Sequence, residues 1–119
     1  MQTIKNIKLT IVGLGYVGLP LAIEFCKKNK TIGFDIDKKR ISELRNGFDS
    51  TLELTAKEID NASNLTFTSN LNDIKDSNIY IITVPTPLDN NNHPDLSPLK
   101  DASSRVGKII NNGDIVIYE

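Results

Sequence analysis

The segment Gly13-Leu14-Gly15-Tyr16-Val17-Gly18 holds three glycines at fixed spacing, and any chemistry it performs must come from the main chain. Without a Cβ, glycine permits turns and close approaches that other residues forbid, so a GxGxxG can bring bare amides to a pyrophosphate. Alone the pattern is weak, since the same glycines could simply shape a tight turn. Its context distinguishes it. An apolar stretch from Lys8 to Val12 runs directly into Gly13, and a helical pattern follows. An acid, Asp35, then stands at roughly the twenty-residue separation of a dinucleotide site. In that arrangement Gly13 makes the turn, Gly15 admits the pyrophosphate and Gly18 lets the helix pack closely.

Asp35 is placed to accept hydrogen bonds from the adenosine ribose hydroxyls, and its charge would repel a 2′-phosphate, which favours NAD over NADP. Lys38, Lys39 and Arg40 just downstream are the opposing signal, because a basic residue there can receive a 2′-phosphate; for the two lysines an exposed helix face is the simpler account. Cys26 lies beside Phe25 in a helical pattern, where a small buried hydrophobe is expected and burial would raise its pKa. His93 stands between asparagine and proline without a second ligand nearby, so it reads as a solvated loop residue and no metal is expected. Thr86, between Pro85 and Pro87, follows an apolar run where open α/β sheets bind ligands; a rigid turn is its other role.

The elements that must position these residues alternate short β-branched runs with helical stretches, the signature of βαβ units. Strands are expected at Lys8–Val12, Thr31–Phe34, Leu65–Thr68, Asn78–Val84 and Asp114–Tyr118. Helices are expected from Tyr16 to Lys28, with Pro20 tolerated in the first turn, and from Lys38 to Arg45. Another should run from a Thr55/Glu58 capping box to about Ala62, and Leu71–Ile74 should form a single turn. Pro85–Pro98 reads as a long loop, after which Ser97 caps a helix that continues to Ile110. The fold class is therefore α/β: a Rossmann-type doubly wound, mostly parallel sheet with helices on both faces.

At 119 residues the chain has room for one domain. Fourteen Lys and Arg against fifteen Asp and Glu supply no broad field for nucleic acid or anionic lipid. One cysteine makes no internal disulfide and, with one histidine, no Cys/His zinc cluster. Met1-Gln2-Thr3-Ile4-Lys5 lacks the apolar core of a secretion signal, and no apolar run is long enough to span a bilayer. A cytoplasmic setting is the expectation.

At the level of whole motifs the sequence resembles the UDP-glucose/GDP-mannose dehydrogenases, the nucleotide-sugar 6-dehydrogenases. IVGLGYVGLPLA (Ile11 to Ala22) is similar to their first strand-turn-helix. FDID (Phe34 to Asp37) with Arg40 is similar to their ribose site, and VPTP (Val84 to Pro87) followed by PDLS (Pro94 to Ser97) to a second hallmark. The NNNHPDLS stretch and the ending IVIYE look more like the branch acting on UDP-N-acetylhexosamines. The resemblance implies a two-step, NAD-dependent oxidation of a UDP-sugar C6 alcohol to the uronate through a cysteine thiohemiacetal. It implies that Gly13, Gly15, Tyr16, Val17 and Gly18 cradle the pyrophosphate and that Asp35 and Arg40 hold the ribose. Pro85 and Thr86 would lie beside the cofactor, and Glu119 would open the next cofactor segment. It further implies that residues 1–119 are a truncated N-terminal NAD-binding domain without its catalytic cysteine, central helix or substrate domain, and that the full-length protein is a homodimer. Two other readings stand beside it: a non-catalytic NAD-sensing module, and a hydroxyacid or 6-phosphogluconate-type dehydrogenase domain.

Overall fold

The computed structural model describes residues 6–119; the leader-free reading of residues 1–5 lies outside them. Five parallel strands form one sheet: β1 (Leu9–Val12), β2 (Thr31–Phe34), β3 (Leu65–Thr68), β4 (Ile79–Ile82) and β5 (Ile115–Tyr118), in the order β3-β2-β1-β4-β5. β1 is central, pairing with β2 through Leu9↔Thr31 and with β4 through Leu9↔Ile79. All four of its residues are buried, as an apolar run covered on both faces requires.

Side-chain alternation divides the core between the two faces. Leu9 and Ile11 of β1, Leu65 and Phe67 of β3 and Ile81 of β4 join Leu19, Ala22, Ile41 and Leu44 on one face. These four come from α1 (Gly18–Cys26) and α2 (Lys38–Arg45), and Ile59 of α3 (Ala56–Asp60) joins the same cluster. On the other face Val12, Phe34, Tyr80 and Ile82 pack with Ile74 of a 3₁₀ turn (Leu71–Ile74) and with Ala102 and Val106 of α4 (Ser97–Gly107). Each fully buried Leu, Ile or Val is worth about 1.5–3 kcal/mol, so two small clusters suffice to fasten the helices.

Local signals fix most element ends. Asp37 caps α2, its Oδ1 accepting from the Lys39 and Arg40 amides at 3.0 and 3.4 Å. Thr55 and Glu58 form the expected reciprocal capping box on α3. Several expectations shift, β4 among them, which runs Ile79–Ile82 rather than Asn78–Val84. α1 begins at Gly18 and ends at Cys26, so Tyr16 and Val17 precede it and Lys27 and Lys28 follow it. α3 stops at Asp60, before Ala62. α4 ends at Gly107, so Ile109 and Ile110 lie outside it. Ser97 is the first residue of α4 rather than a cap. Its amide and hydroxyl both donate to Asp95 Oδ1, at 2.9 and 2.6 Å, so that Asp95 sets the start of the helix. The loop before it is also more ordered than its composition suggests. The Asp89 amide donates to His93 O at 2.8 Å, and Leu88 bridges Pro94, closing a small turn.

Candidate dinucleotide-binding site

The three glycines do different work. Gly13 has φ +100°, a conformation L side chains rarely adopt, and it turns the chain out of β1. Its amide donates to Phe34 O at 2.8 Å and its carbonyl accepts from Thr83 Oγ1 at 2.7 Å, so the turn is tied to the ends of both neighbouring strands. A Cβ on Gly18 would fall on Gly13 O and Thr83 Oγ1, so this position must be glycine if α1 is to close on the turn. Gly15 is the exception: a Cβ there meets nothing within 4 Å, and its φ lies outside the left-handed region. Nothing in the packing of the described residues requires glycine at position 15.

The helix that follows is left open at its positive end. Val17 occupies the N-cap position of α1 without a side-chain hydrogen bond, and the first turn contains no acid. Of its first amides Leu19 N donates to Gly15 O at 3.3 Å and Pro20 has none, so an anion is attracted to the main chain just ahead of the helix, at Tyr16 and Val17.

Beside it lies a cavity of about 370 Å³ at the C-terminal ends of β1, β2 and β4. Here the connections part to the two sides of the central strand, which is where open α/β sheets bind ligands. Gly13, Leu14 and Gly15 form one wall, Asp35, Ile36 and Arg40 the second, and Val84 and Pro85 the third. Pro98, Asp101, Ala102 and Arg105 of α4 close it. Asp35 stands just past β2 with each oxygen on a backbone amide, Oδ2 accepting from Leu14 and Oδ1 from Asp37, both at 2.9 Å. A carboxylate has about four acceptor sites, so two remain for a pair of hydroxyls.

Arg40 turns inward. Its Nε donates to Leu14 O at 2.8 Å and its Nη1 lies 2.9 Å from Asp49 Oδ1, while its side chain is 9% exposed and that of Asp49 is 0% exposed. Nη2 is buried and has no hydrogen-bond partner among the described residues. Asp49 also accepts from the Thr51 amide and hydroxyl and from the Glu53 and Leu54 amides, organising a turn in which exposed Leu52 is held at φ 59°. Burial pushes the Asp49 carboxyl up, but the hydrogen bonds from Thr51, Arg40 and Leu54 more than reverse this and hold it at about 2, against an ordinary 3.8.

Of the residues singled out in the sequence, Gly13, Gly15, Asp35, Arg40 and Pro85 meet around the cavity. Tyr16 and Val17 are 68% and 55% exposed at the mouth of α1, and Gly18 is buried beneath the turn. Thr86 is exposed and forms no part of the cavity wall. Glu119 is exposed, its amide donating to Ile82 O at 3.0 Å. Cys26 sits at the far end of α1, its Sγ donating to Ile23 O at 3.1 Å. Burial, opposed by Lys27 and assisted by Glu24, pushes its thiol up, so it is no activated nucleophile. His93 is exposed, and among the described residues no cluster of three or more His, Cys, Asp or Glu could hold a metal. Nor is any described helix long and apolar enough to cross a membrane. The α4 wall was missed in the sequence, although Pro98, Ala102 and Val106 at four-residue spacing mark a face that must pack on β4.

Comparison with known proteins agrees with this geometry. The profile of the UDP-glucose/GDP-mannose dehydrogenase family, NAD binding domain, matches residues 7–119. A UDP-N-acetyl-D-glucosamine 6-dehydrogenase of Pseudomonas aeruginosa is 57% identical over 115 residues, covering 97% of this chain and 27% of that protein. One from Salmonella typhi is 55% identical over 119 residues, covering 100% and 28%. The solved structure of a UDP-D-ManNAc dehydrogenase from Pyrococcus horikoshii superposes with a TM-score of 0.89 at 33% identity, over 95% of this chain and 28% of that one. The chain thus spans little more than a quarter of the length of these relatives. It belongs to the UDP-glucose/GDP-mannose dehydrogenase family, whose NAD-binding domain it carries.

Proposed function

We propose that the cavity binds NAD⁺ and that the chain is the coenzyme-holding portion of a UDP-sugar 6-dehydrogenase. The proposed full-length protein works in the cytoplasm as a homodimer. It oxidises the C6 alcohol of a UDP-N-acetylhexosamine, or of UDP-glucose, to the uronate in two steps. One observation carries the cofactor reading: Gly15 borders an open cavity and an uncapped helix, yet no atom of the described residues lies within 4 Å of where its Cβ would be. A glycine that the fold does not need is explained by a ligand that does need it.

The residues divide the work. The main-chain amides where the glycine turn enters α1 bind the diphosphate, those of Tyr16 and Val17 among them. Gly13 and Gly18 hold those amides in place, and Asp35 orients the adenosine ribose through its two remaining acceptor sites. Ile36, Pro98 and Ala102 offer apolar surface to the adenine. NAD⁺, when bound, supplies the hydride acceptor for both oxidations. Cys26, inert and distant, takes no part, so the nucleophile of the second step must come from outside these 119 residues.

Calorimetric titration of NAD⁺ into the chain tests the reading. Millimolar or tighter binding is expected, and Asp35→Ala should weaken it at least about tenfold, the effect of losing a charge-assisted hydrogen bond. Absence of binding at several millimolar, or an affinity indifferent to Asp35→Ala in a folded variant, would refute it.

A further inference from the structure

The ribose corner presents two conflicting signals. An acid at the tip of β2 favours a free 2′-hydroxyl, whereas an arginine nearby is a feature that accommodates a 2′-phosphate. Asp35 and Arg40 both line the cavity. Resting on the cofactor reading above, we propose that Asp49 settles the conflict: it is the specificity-determining residue that pins and neutralises Arg40, so that the corner accepts NAD and rejects NADP.

Three observations carry this. First, Arg40 is not free to swing. Its Nε is spent on Leu14 O, and its Nη1 lies 2.9 Å from Asp49 and donates to Ser50 Oγ at 3.3 Å. Second, its charge is balanced from behind. Asp49 is fully buried, and Glu43 Oε2 stands 3.7 Å from Nη1 as a second, lesser partner. With Arg40 cancelled by Asp49 and Arg105 paired with Asp101 at 2.9 Å, Asp35 and Asp37 carry the net charge of the cavity lining, outside which the exposed Lys38 and Lys39 lie, and that sign repels a phosphate dianion. Third, Nη2 is itself buried, so the pinned guanidinium turns no accessible donor pair toward an incoming phosphate. Asp49 lies in an irregular turn outside the cavity wall and acts through Arg40.

The test is a ratio. The wild-type chain, Asp49→Asn, Arg40→Met and the double variant are each titrated with NAD⁺ and with NADP⁺. Both affinities of a variant come from the same folded population, so a merely structural loss moves them together and leaves their ratio unchanged. Asp49→Asn should shift the ratio toward NADP⁺ by about tenfold, the scale of uncovering one charge near a partly screened site. The shift should vanish when Arg40→Met is added, because Asp49, buried without its partner, is then neutral and its replacement removes no charge. Glu43→Gln, a milder change for use if Asp49→Asn does not fold, should shift the ratio the same way by about threefold. An unchanged ratio in folded Asp49→Asn, an unchanged ratio in Glu43→Gln when Asp49→Asn is unfolded, or a shift that persists without Arg40 would overturn the proposal while leaving the cofactor reading intact. Failure of the wild-type chain to bind either dinucleotide would overturn both.

Discussion

Gly15→Ala separates a glycine kept for a ligand from a glycine kept for the fold. An added Cβ at position 15 meets no atom within 4 Å and needs no positive φ, so the folded state gains no clash. The unfolded chain, meanwhile, loses conformational freedom. Stability should hold or rise, by about 0.4–1 kcal/mol where the backbone is compatible. Cofactor affinity should move the other way. A methyl forced into the space of a diphosphate costs about 1–3 kcal/mol, as overpacking does elsewhere, which corresponds to roughly 5- to 150-fold weaker binding. Gly18→Ala is the matched control. Its Cβ would fall on Gly13 O and Thr83 Oγ1, so it should lose about 1–3 kcal/mol of stability. Thermal unfolding followed by circular dichroism, paired with NAD⁺ titration of each folded protein, reads both quantities. A Gly15→Ala variant that binds NAD⁺ as tightly as wild type, or that melts as early as Gly18→Ala, would refute the reasoning.

Acid should expose the contribution of Asp49. Its folded value of about 2 lies below the ordinary 3.8, so its stabilisation is complete above roughly pH 4 and is lost as the pH falls toward 2. Denaturant melts across that window should lose about 2 kcal/mol, and the Asp49→Asn variant should start lower and show a flatter acid limb. Cys26, buried with its thiol pushed up, should react with a thiol reagent orders of magnitude more slowly in the native chain than in denaturant; equal rates would contradict the packing of α1. Tyr80, fully buried, donates its hydroxyl to Ile74 O at 2.9 Å, and Tyr80→Phe should cost about 0.5–1.5 kcal/mol in a chemical melt by removing that hydrogen bond, Ile74 O keeping the Ser77 amide at 3.0 Å.

What the sequence reveals is what local physics determines. Thr31–Phe34, Lys38–Arg45 and Leu65–Thr68 are found where their apolar periods and end signals put them, because period and cap act within a few residues. The glycine turn was legible for the same reason, with Asp35 close behind it. The far wall of the cavity was not. Pro98, Asp101 and Arg105 come beside Gly13 only through the crossover that carries α4 onto β4; the spacing of Pro98, Ala102 and Val106 marks an apolar face but not the glycine turn it comes to. The position of Arg40 was equally hidden. Residue type suggested a group reaching for ligand, but its partner Asp49 sits in a stretch without helical or strand periodicity, and the ion pair exists only once that stretch has closed. Ser97 misled as a cap because Asp95, two residues earlier, accepts from both its amide and its hydroxyl, which turns that hydroxyl back onto the carboxylate instead of forward onto the next amides.

Leu52 belongs to that stretch, and leucine has no preference for the left-handed backbone it adopts there. The bend is imposed by the Asp49 carboxylate, whose hydrogen bonds outweigh the cost. A segment whose shape is lent to it by one side chain has little tendency to assume that shape in isolation. Its closure therefore belongs to the last stages of folding, after the sheet and α2 have brought a guanidinium within reach, and mutations there should speed unfolding far more than they slow folding.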